Sequence, residues 1–324
     1  MFHGGISVIE IRELCKNFGT FPALTNISFE VNRGEILGFL GPNGAGKTTT
    51  MKIITCYMHP TQGDVLVDGI SVYDDTMAIR QKIGYLPESN PLYMDMSVIE
   101  YLKFIAQVRS IPVSKVKDRL RQIATTCGLT EVLGQTIGTL SKGYRQRVGL
   151  AQAMVHDPDI LILDEPTSGL DPNQIVEIRN LIKTLGREKT VVLSTHILPE
   201  VEATCDRIIV IDKGSIVEDG SVAELQARFQ GAENIFFTVK AGNDGVEDKL
   251  RSHFARLHVE KRGQPADGTW EFTLSAKERA TGQDLREDVF AFVVSQGWVL
   301  LEMTRTETSL EEIFHELTLG QPNN

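Results

Sequence analysis

The stretch EILGFLGPNGAGKTTT, residues 35–50, decides the fold. EILGFL at 35–40 is a short apolar run of the kind a strand makes, and TMKIITCYMHP at 50–60 keeps helical spacing until Pro60. Between them Gly41-Pro42-Asn43-Gly44-Ala45-Gly46-Lys47-Thr48 satisfies G-x-x-x-x-G-K-[ST]. Glycines let the backbone curl so that successive N–H groups converge on one anion, and the following helix adds the positive end of its dipole. Lys47 is placed to reach β- and γ-phosphates, and the Thr48 hydroxyl to ligate Mg²⁺. The loop predicts a Mg-ATP site running from Gly41 through Thr48 and into Thr49.

Phosphoryl transfer also needs a carboxylate beside the metal and a group that positions the attacking water. ILILDE at 160–165 is apolar until its last two residues, the look of a strand buried on both faces. It offers Asp164 to the metal and Glu165 as general base. TVVLSTH at 190–196 is a second such strand, ending in His196. Ligands in open α/β sheets sit at the carboxyl ends of strands, which places His196 near a γ-phosphate.

Outward from these motifs, 6–14 and 26–31 read as short strands with a turn-rich GTFPALTN between them, and QGDVLVDGISV at 62–72 as a hairpin. Helical spacing runs from Met96 to about Leu133 and again from Ser141 to Val155, then over about 173–188 and after Pro199; DRIIVIDKGSIVEDG is another hairpin. Alternation of buried strands with helices implies a parallel sheet. Near 230–233 the character changes. NIFFTVK, GVEDKLRSHF, RLHVEKRG, TWEFTLSAK, DLREDVFAFVVSQG and WVLLEMTR read as β-α-β-β-α-β, with QPADG turning between the middle strands and SLEEIFHELT as a last helix. That order is the split βαβ, ferredoxin-like unit. His253, His258 and His315 are scattered through it, and Trp270 and Trp298 are expected in its small core.

Composition fits two globular domains: 324 residues, 41% hydrophobic and 23% charged. A net charge of −10 argues against nucleic acid as a partner. Cys15, Cys56, Cys127 and Cys205 lie far apart with no C-x-x-C pair, so they read as buried free thiols of a reducing compartment. No apolar run approaches the roughly 18 residues a spanning helix needs, so any membrane role requires a partner. The N-terminus lacks a signal peptide's basic start and apolar core.

The chain from about Ile6 to Gln230 resembles the nucleotide-binding domain of ABC transporters. Beside the phosphate loop and ILILDEP it carries LSKGYRQR at 140–147, similar to the family signature, SGLD at 168–171, STH at 194–196 and IGYLPE at 83–88. The resemblance implies an α/β, P-loop NTPase fold: an ABC-type ATPase domain over 6–230 with a helical subdomain at about 89–155. A small α+β ferredoxin-like C-terminal domain over 233–324 follows it. It further implies that Phe18 stacks on adenine and that Glu88 occupies the family's magnesium-touching glutamine position. In the family the signature reaches across a head-to-tail dimer, so Ser141, Gly143 and the start of the helix after them would contact the γ-phosphate held by the other copy. Asp171, at the end of SGLD, is implied as a nucleotide-binding residue. The cofactors implied are ATP and Mg²⁺, the latter on Thr48, Glu88 and Asp164. The partners implied are a second copy and an integral membrane permease, with the chain peripheral on the cytoplasmic face. YLPE, LSKGYRQR, the long tail and SLEEIFHELT resemble a narrower branch of exporter ATPases with separate membrane subunits, including gliding-motility-associated and antibiotic-export relatives.

Rival functions fit less well. DNA-acting ATPases of the superfamily need long coiled coils, ribosome-acting ones two ATPase domains per chain, and a GTPase an N-K-x-D motif; a soluble ATPase on a non-membrane partner remains the alternative. The C-terminal domain carries no recognisable chemistry and reads as a packing or dimer-stabilising module, with a regulatory ligand site as the sharper alternative. Two motifs depart from the family. Glu88 for glutamine adds negative charge beside the γ-phosphate, and the signature has Lys142 and Tyr144 for glycine and glutamine, Lys142 adding a cation that would partly offset Glu88. That compensation predicts reduced ATPase activity in Lys142→Gly; an unchanged steady-state rate rejects it.

Overall fold

The computed structural model describes residues 7–229, 233–242, 245–255, 257–262, 268–276 and 285–307. SLEEIFHELT with His315, residues 264–267 of the expected QPADG turn, and the expected boundary residues 230–232 lie outside them. Two compact units are present, Met1–Val222 and Ala223–Asn324.

The first unit is organised by a six-stranded sheet in the order Ser215–Ser221, Arg207–Asp212, Ile36–Leu40, Thr190–Thr195, Ile160–Asp164, Ile83–Leu86. The last five run parallel and the first pairs antiparallel as a hairpin. Every residue of ILGFL, ILILD and TVVLST is buried, because helices cover both faces and no side of these strands meets water. Helix Leu198–Thr204 lies so close to the central strand that a methyl on Gly38 would fall 2.4 Å from Val201 Cγ1. That position requires glycine.

A second, antiparallel sheet flanks this layer in the order Phe21–Asn32, Ser7–Phe18, Gln62–Val67, Ile70–Ser71. Its first two strands correct the expected GTFPALTN turn: each has 12 residues, and only Gly19 and Thr20 turn between them. Pro22 is tolerated because its strand is at the sheet edge. Ile9, Leu14, Leu24 and Ile27 of this sheet share one core with Phe39, Met51 and Ile53.

The helical part comprises Val98–Val108, Val113–Thr126 and Lys142–Met154. Ser97 starts the first of these with a capping box: its N–H donates to Glu100 Oε2 at 3.0 Å and its hydroxyl accepts from the Glu100 N–H at 3.4 Å. Helix Thr76–Lys82 and strand Ile83–Leu86, both unforeseen in the sequence, lead into this part.

The second unit contains a four-stranded antiparallel sheet in the order His258–Lys261, Thr269–Ala276, Glu233–Lys240, Val299–Glu307, with helices Val246–His253 and Leu285–Ser295. Numbered along the chain the strand order is 2-3-1-4, the expected split βαβ arrangement. Phe237 faces Phe272 and Ile235 faces Leu274 across the sheet, and Leu250, Val289 and Phe292 close the core from the helices. Trp270 and Trp298 pack against that cluster, and His253 stacks on Phe292 with 4.3 Å between ring centroids. Of the four thiols Cys56, Cys127 and Cys205 are buried, and burial pushes Cys127 up to about 12; Cys15 is only partly buried and accepts the Asn26 N–H.

His156 titrates against the fold. Its Nε2 lies 3.1 Å from the Ile83 carbonyl oxygen, and burial, then the Arg109 charge, lower its pKa to about 4 from an ordinary 6.5. The folded ring is therefore neutral where the unfolded ring begins to bind a proton. The stability this gives is complete above the unfolded value and is lost as pH falls toward the folded one. The urea-midpoint advantage of the parent chain over His156→Gln should shrink between about pH 7 and about pH 5. A constant gap would contradict this.

Candidate nucleotide site

The phosphate loop leaves the central strand at Gly41, whose N–H donates to the Thr195 carbonyl at 3.3 Å. Its curl depends on left-handed glycines. Gly44 has φ +83° and Gly46 φ +108°, and a methyl on Gly46 would fall 2.6 Å from Leu24 Cδ2 and 2.8 Å from the Ala23 oxygen. Helix Lys47–Ile54 starts from Gly46 without a side-chain cap, so its first N–H groups are offered to a ligand. Asn43 and Gly44 are exposed at the loop's crest, Pro42, Thr48 and Thr49 are half-buried, and Ala45 is buried.

Lys47 folds back inside the loop. Its side chain is 5% exposed, and Nζ donates to the Gly41 carbonyl at 2.8 Å and the Pro42 carbonyl at 3.2 Å. Glu165 Oε1 lies 3.3 Å from the same ammonium, and Glu165 Oε2 lies 2.9 Å from His196 Nδ1. Glu165 thus stands between the loop lysine and the strand-end histidine. It does so with φ +48°, its N–H held by both the carbonyl and the hydroxyl of Ser194 at 3.1 Å. Left-handed backbone on a non-glycine residue costs on the order of 1–3 kcal/mol and persists only where the surroundings over-determine it.

Asp164 is fully buried. Its Oδ1 accepts from Ser194 Oγ at 2.5 Å and Thr48 Oγ1 at 3.2 Å, while Oδ2 has no partner among the described residues. Burial raises its pKa against the pull of the two hydroxyls, and the Glu88 charge raises it further. A buried carboxyl with one unfilled oxygen beside a threonine hydroxyl is a donor set that fits a hard divalent cation. Ser194 was not singled out from the sequence; the STH match pointed only to its histidine.

The remaining expected residues group elsewhere. Ser141 caps helix Lys142–Met154, accepting the Tyr144 N–H at 3.3 Å, and Gly143 abuts Gln174, whose Cδ a methyl there would approach to 2.7 Å. Asp171 caps helix Pro172–Gly186, accepting the Asn173 and Gln174 N–H groups at 3.0 Å. A methyl on Gly169 would fall 2.0 Å from Lys142 Nζ, so the signature lysine leans on the SGLD turn of its own chain. Among the described residues no hydrogen bond or ion pair joins Ser141, Gly143 or Asp171 to the loop around Lys47. Glu88 is exposed. Phe18 is exposed at the tip of the long hairpin with Lys16 Nζ 5.4 Å from its ring centroid.

Because φ +108° is closed to residues with a Cβ, Gly46→Ala should deform the loop. Affinity for a fluorescent ATP analogue is expected to fall by about tenfold or more, equivalent to about 1.4 kcal/mol. Unchanged affinity would show that the loop does not bind the phosphates.

The chain is similar to known ATP-binding subunits. The family model for ABC transporters matches residues 24–168. The Bacillus subtilis ABC transporter ATP-binding protein YhcH, itself uncharacterised, is 34% identical over 319 residues, 96% of each chain. The linearmycin resistance ATP-binding protein LnrL of the same species is 33% identical over 246 residues, 76% of this chain and 79% of that one. Among solved structures, the dimeric post-hydrolysis ATP-binding cassette MJ0796 bound to ADP and Pi superposes with TM-score 0.61 at 27% identity, covering 66% of this chain and 98% of that one. The chain belongs to the ATP-binding subunits of ABC transporters, and it is an ATPase.

Proposed function

We propose that this subunit hydrolyses ATP with Glu165 as general base and drives a separate membrane permease, most simply an exporter. The observation that carries the chemistry is the Lys47–Glu165–His196 chain of contacts, 3.3 and 2.9 Å, at the mouth of a glycine loop. Entry of a γ-phosphate draws Lys47 from Glu165 by offering a stronger anion. Glu165 is then free to accept a proton from the attacking water, whose oxygen bonds to the γ-phosphorus as ADP leaves. His196 keeps hold of the other carboxyl oxygen and so aims it. Thr48 and Asp164 would hold Mg²⁺, with Glu88 as a further oxygen donor, and the ion supplies charge neutralisation on the β- and γ-phosphates. Phe18, free at the hairpin tip, would stack on the adenine.

Ser141, Gly143 and Asp171 lie on helix N-termini joined by no hydrogen bond or ion pair to the loop of their own chain among the described residues, which supports their use by a second copy in a head-to-tail pair. Closure then depends on γ-phosphate and is released by hydrolysis, the differential affinity a switch requires. The dimeric form of the MJ0796 cassette supports the same reading. No helix among the described residues is long and apolar enough to cross a membrane. Force would therefore pass to a permease, through the segment from Glu88 to Arg109, where Tyr93, Met94 and Val108 are exposed. The subunit would sit on the cytoplasmic face. Export is supported by the resistance function in LnrL's name. The second unit acts in this scheme as a packing or dimer-stabilising module.

Glu165→Gln should retain ATP, remain dimeric in Mg-ATP by light scattering, and lose activity by roughly 10²-fold or more. A monomer under those conditions rejects the composite site. Affinity capture of the parent chain from gently solubilised host membranes should recover a polytopic membrane protein; recovery of only soluble partners or nucleic acid would reject the transport assignment while leaving the ATPase intact.

A further inference from the structure

A third buried carboxyl group, beside Asp164 and Glu165, has no role in the chemistry above. Glu200, in helix Leu198–Thr204, is 6% exposed. Its Oε2 accepts from Thr167 Oγ1 at 2.7 Å and from Thr195 Oγ1 at 3.1 Å. Its Oε1 has no partner among the described residues, and no ion pair there involves Glu200. A buried carboxyl group is costly to desolvate, and here two neutral hydroxyls alone offset that cost.

The hydroxyls come from the two segments that carry the hydrolytic pair. Thr167 is two residues after Glu165, and Thr195 immediately precedes His196. A glutamate in the first turn of a helix ordinarily caps its own backbone or faces water. Glu200 instead spends one oxygen on hydroxyls from two other segments. Thr195 is held at a second point, since its Oγ1 also accepts the Ile197 N–H at 3.0 Å. Upstream of Thr167, the left-handed backbone of Glu165 is pinned to Ser194. The loop bearing Glu165 is therefore tied to the histidine segment on both sides, by Ser194 before it and by Glu200 after it.

We propose that Glu200 is a positioning residue for ATP hydrolysis: its Oε2 fastens the loop after Glu165 to the segment of His196 and so fixes the distance and direction between those two side chains. The proposal rests on the assignment of Glu165 and His196 as the hydrolytic pair. Glu200 touches neither nucleotide nor water in this scheme, so its removal acts on turnover and not on nucleotide affinity.

The test uses the full-length chain, with steady-state ATPase kinetics and equilibrium titration of a fluorescent ATP analogue. Glu200→Leu removes the acceptor, and Glu200→Gln keeps an amide oxygen that can accept both hydroxyls. The leucine variant should lose about tenfold or more in kcat with nucleotide affinity within about threefold of the parent, and the glutamine variant should recover kcat to within about threefold. Thr167→Val and Thr195→Val, which delete one donor each, should lower kcat in the same sense. They carry the test if the leucine variant does not fold. The valine losses should not add to that of Glu200→Leu. Glu165→Gln serves as reference. If it is inactive while Glu200→Leu and both valine variants turn over like the parent, the proposal fails and the assignment of Glu165 stands. If Glu165→Gln itself turns over like the parent, the assignment fails and the proposal with it. Equal loss in the leucine and glutamine variants, or loss of affinity together with turnover, would reduce Glu200 to a structural residue and overturn the proposal.

Discussion

The structure turns on the burial of one ammonium group. Lys47 is 5% exposed, and its charge is met by two loop carbonyls and by Glu165 from a different strand. Removing one member of a buried pair of this kind costs on the order of 3–5 kcal/mol, because the other is left without a partner. The pairing can form only if the ends of three parallel strands are level. Register supplies that: Leu40 lies opposite Thr195, and Asp164 opposite Ser194. Gly41 is thereby level with His196, and Glu165 with Thr195, one residue before it. A slip of one residue would turn Asp164 to the other face of the sheet and separate it from Thr48.

The same arrangement explains the left-handed backbone at two positions here. Gly46 and Glu165 both have positive φ, one where a Cβ would strike the neighbouring hairpin and one where a carboxyl must turn from its strand toward lysine and histidine. The surrounding strands are fully buried, and their burial holds these conformations in place. Rigidity of the sheet and strain at its edge are one design. Left-handed glycines set the curl of the loop, and Lys47 is held within it on Glu165 and two loop carbonyls.

The second unit repeats none of this. It has its own core of Phe237, Phe272, Leu250 and Phe292, and its sheet is antiparallel throughout. Its open pocket beside Asp248, Lys249, His253 and Phe292 is lined by surface side chains and a stacked histidine. Nothing among its described residues resembles the glycine loop or the acidic strand end.

Local sequence determined the phosphate loop, the acidic strand end and the strand order of the second unit. Each rests on patterns that act over a few residues: glycines where φ must be positive, apolar runs where both faces are covered, alternation where one is. The same local signals misled at GTFPALTN, where Gly, Pro and Asn suggested a turn and sheet pairing imposed a strand. They were too weak at Ile83–Leu86, a four-residue strand with a glycine in it, which exists because Ile160–Asp164 offers it an edge. Ser194, Thr167 and Glu200 were invisible for a related reason. A serine, a threonine or a glutamate in a sequence has no direction, and only the packing of a helix over two strand ends turns one glutamate inward onto two hydroxyls. The sequence by itself thus determined the chemistry, ATP hydrolysis, and the candidate residues for it. Tertiary structure alone decided what holds them, because those contacts join residues 29, 30 and 33 apart in the chain and depend on strand register and burial.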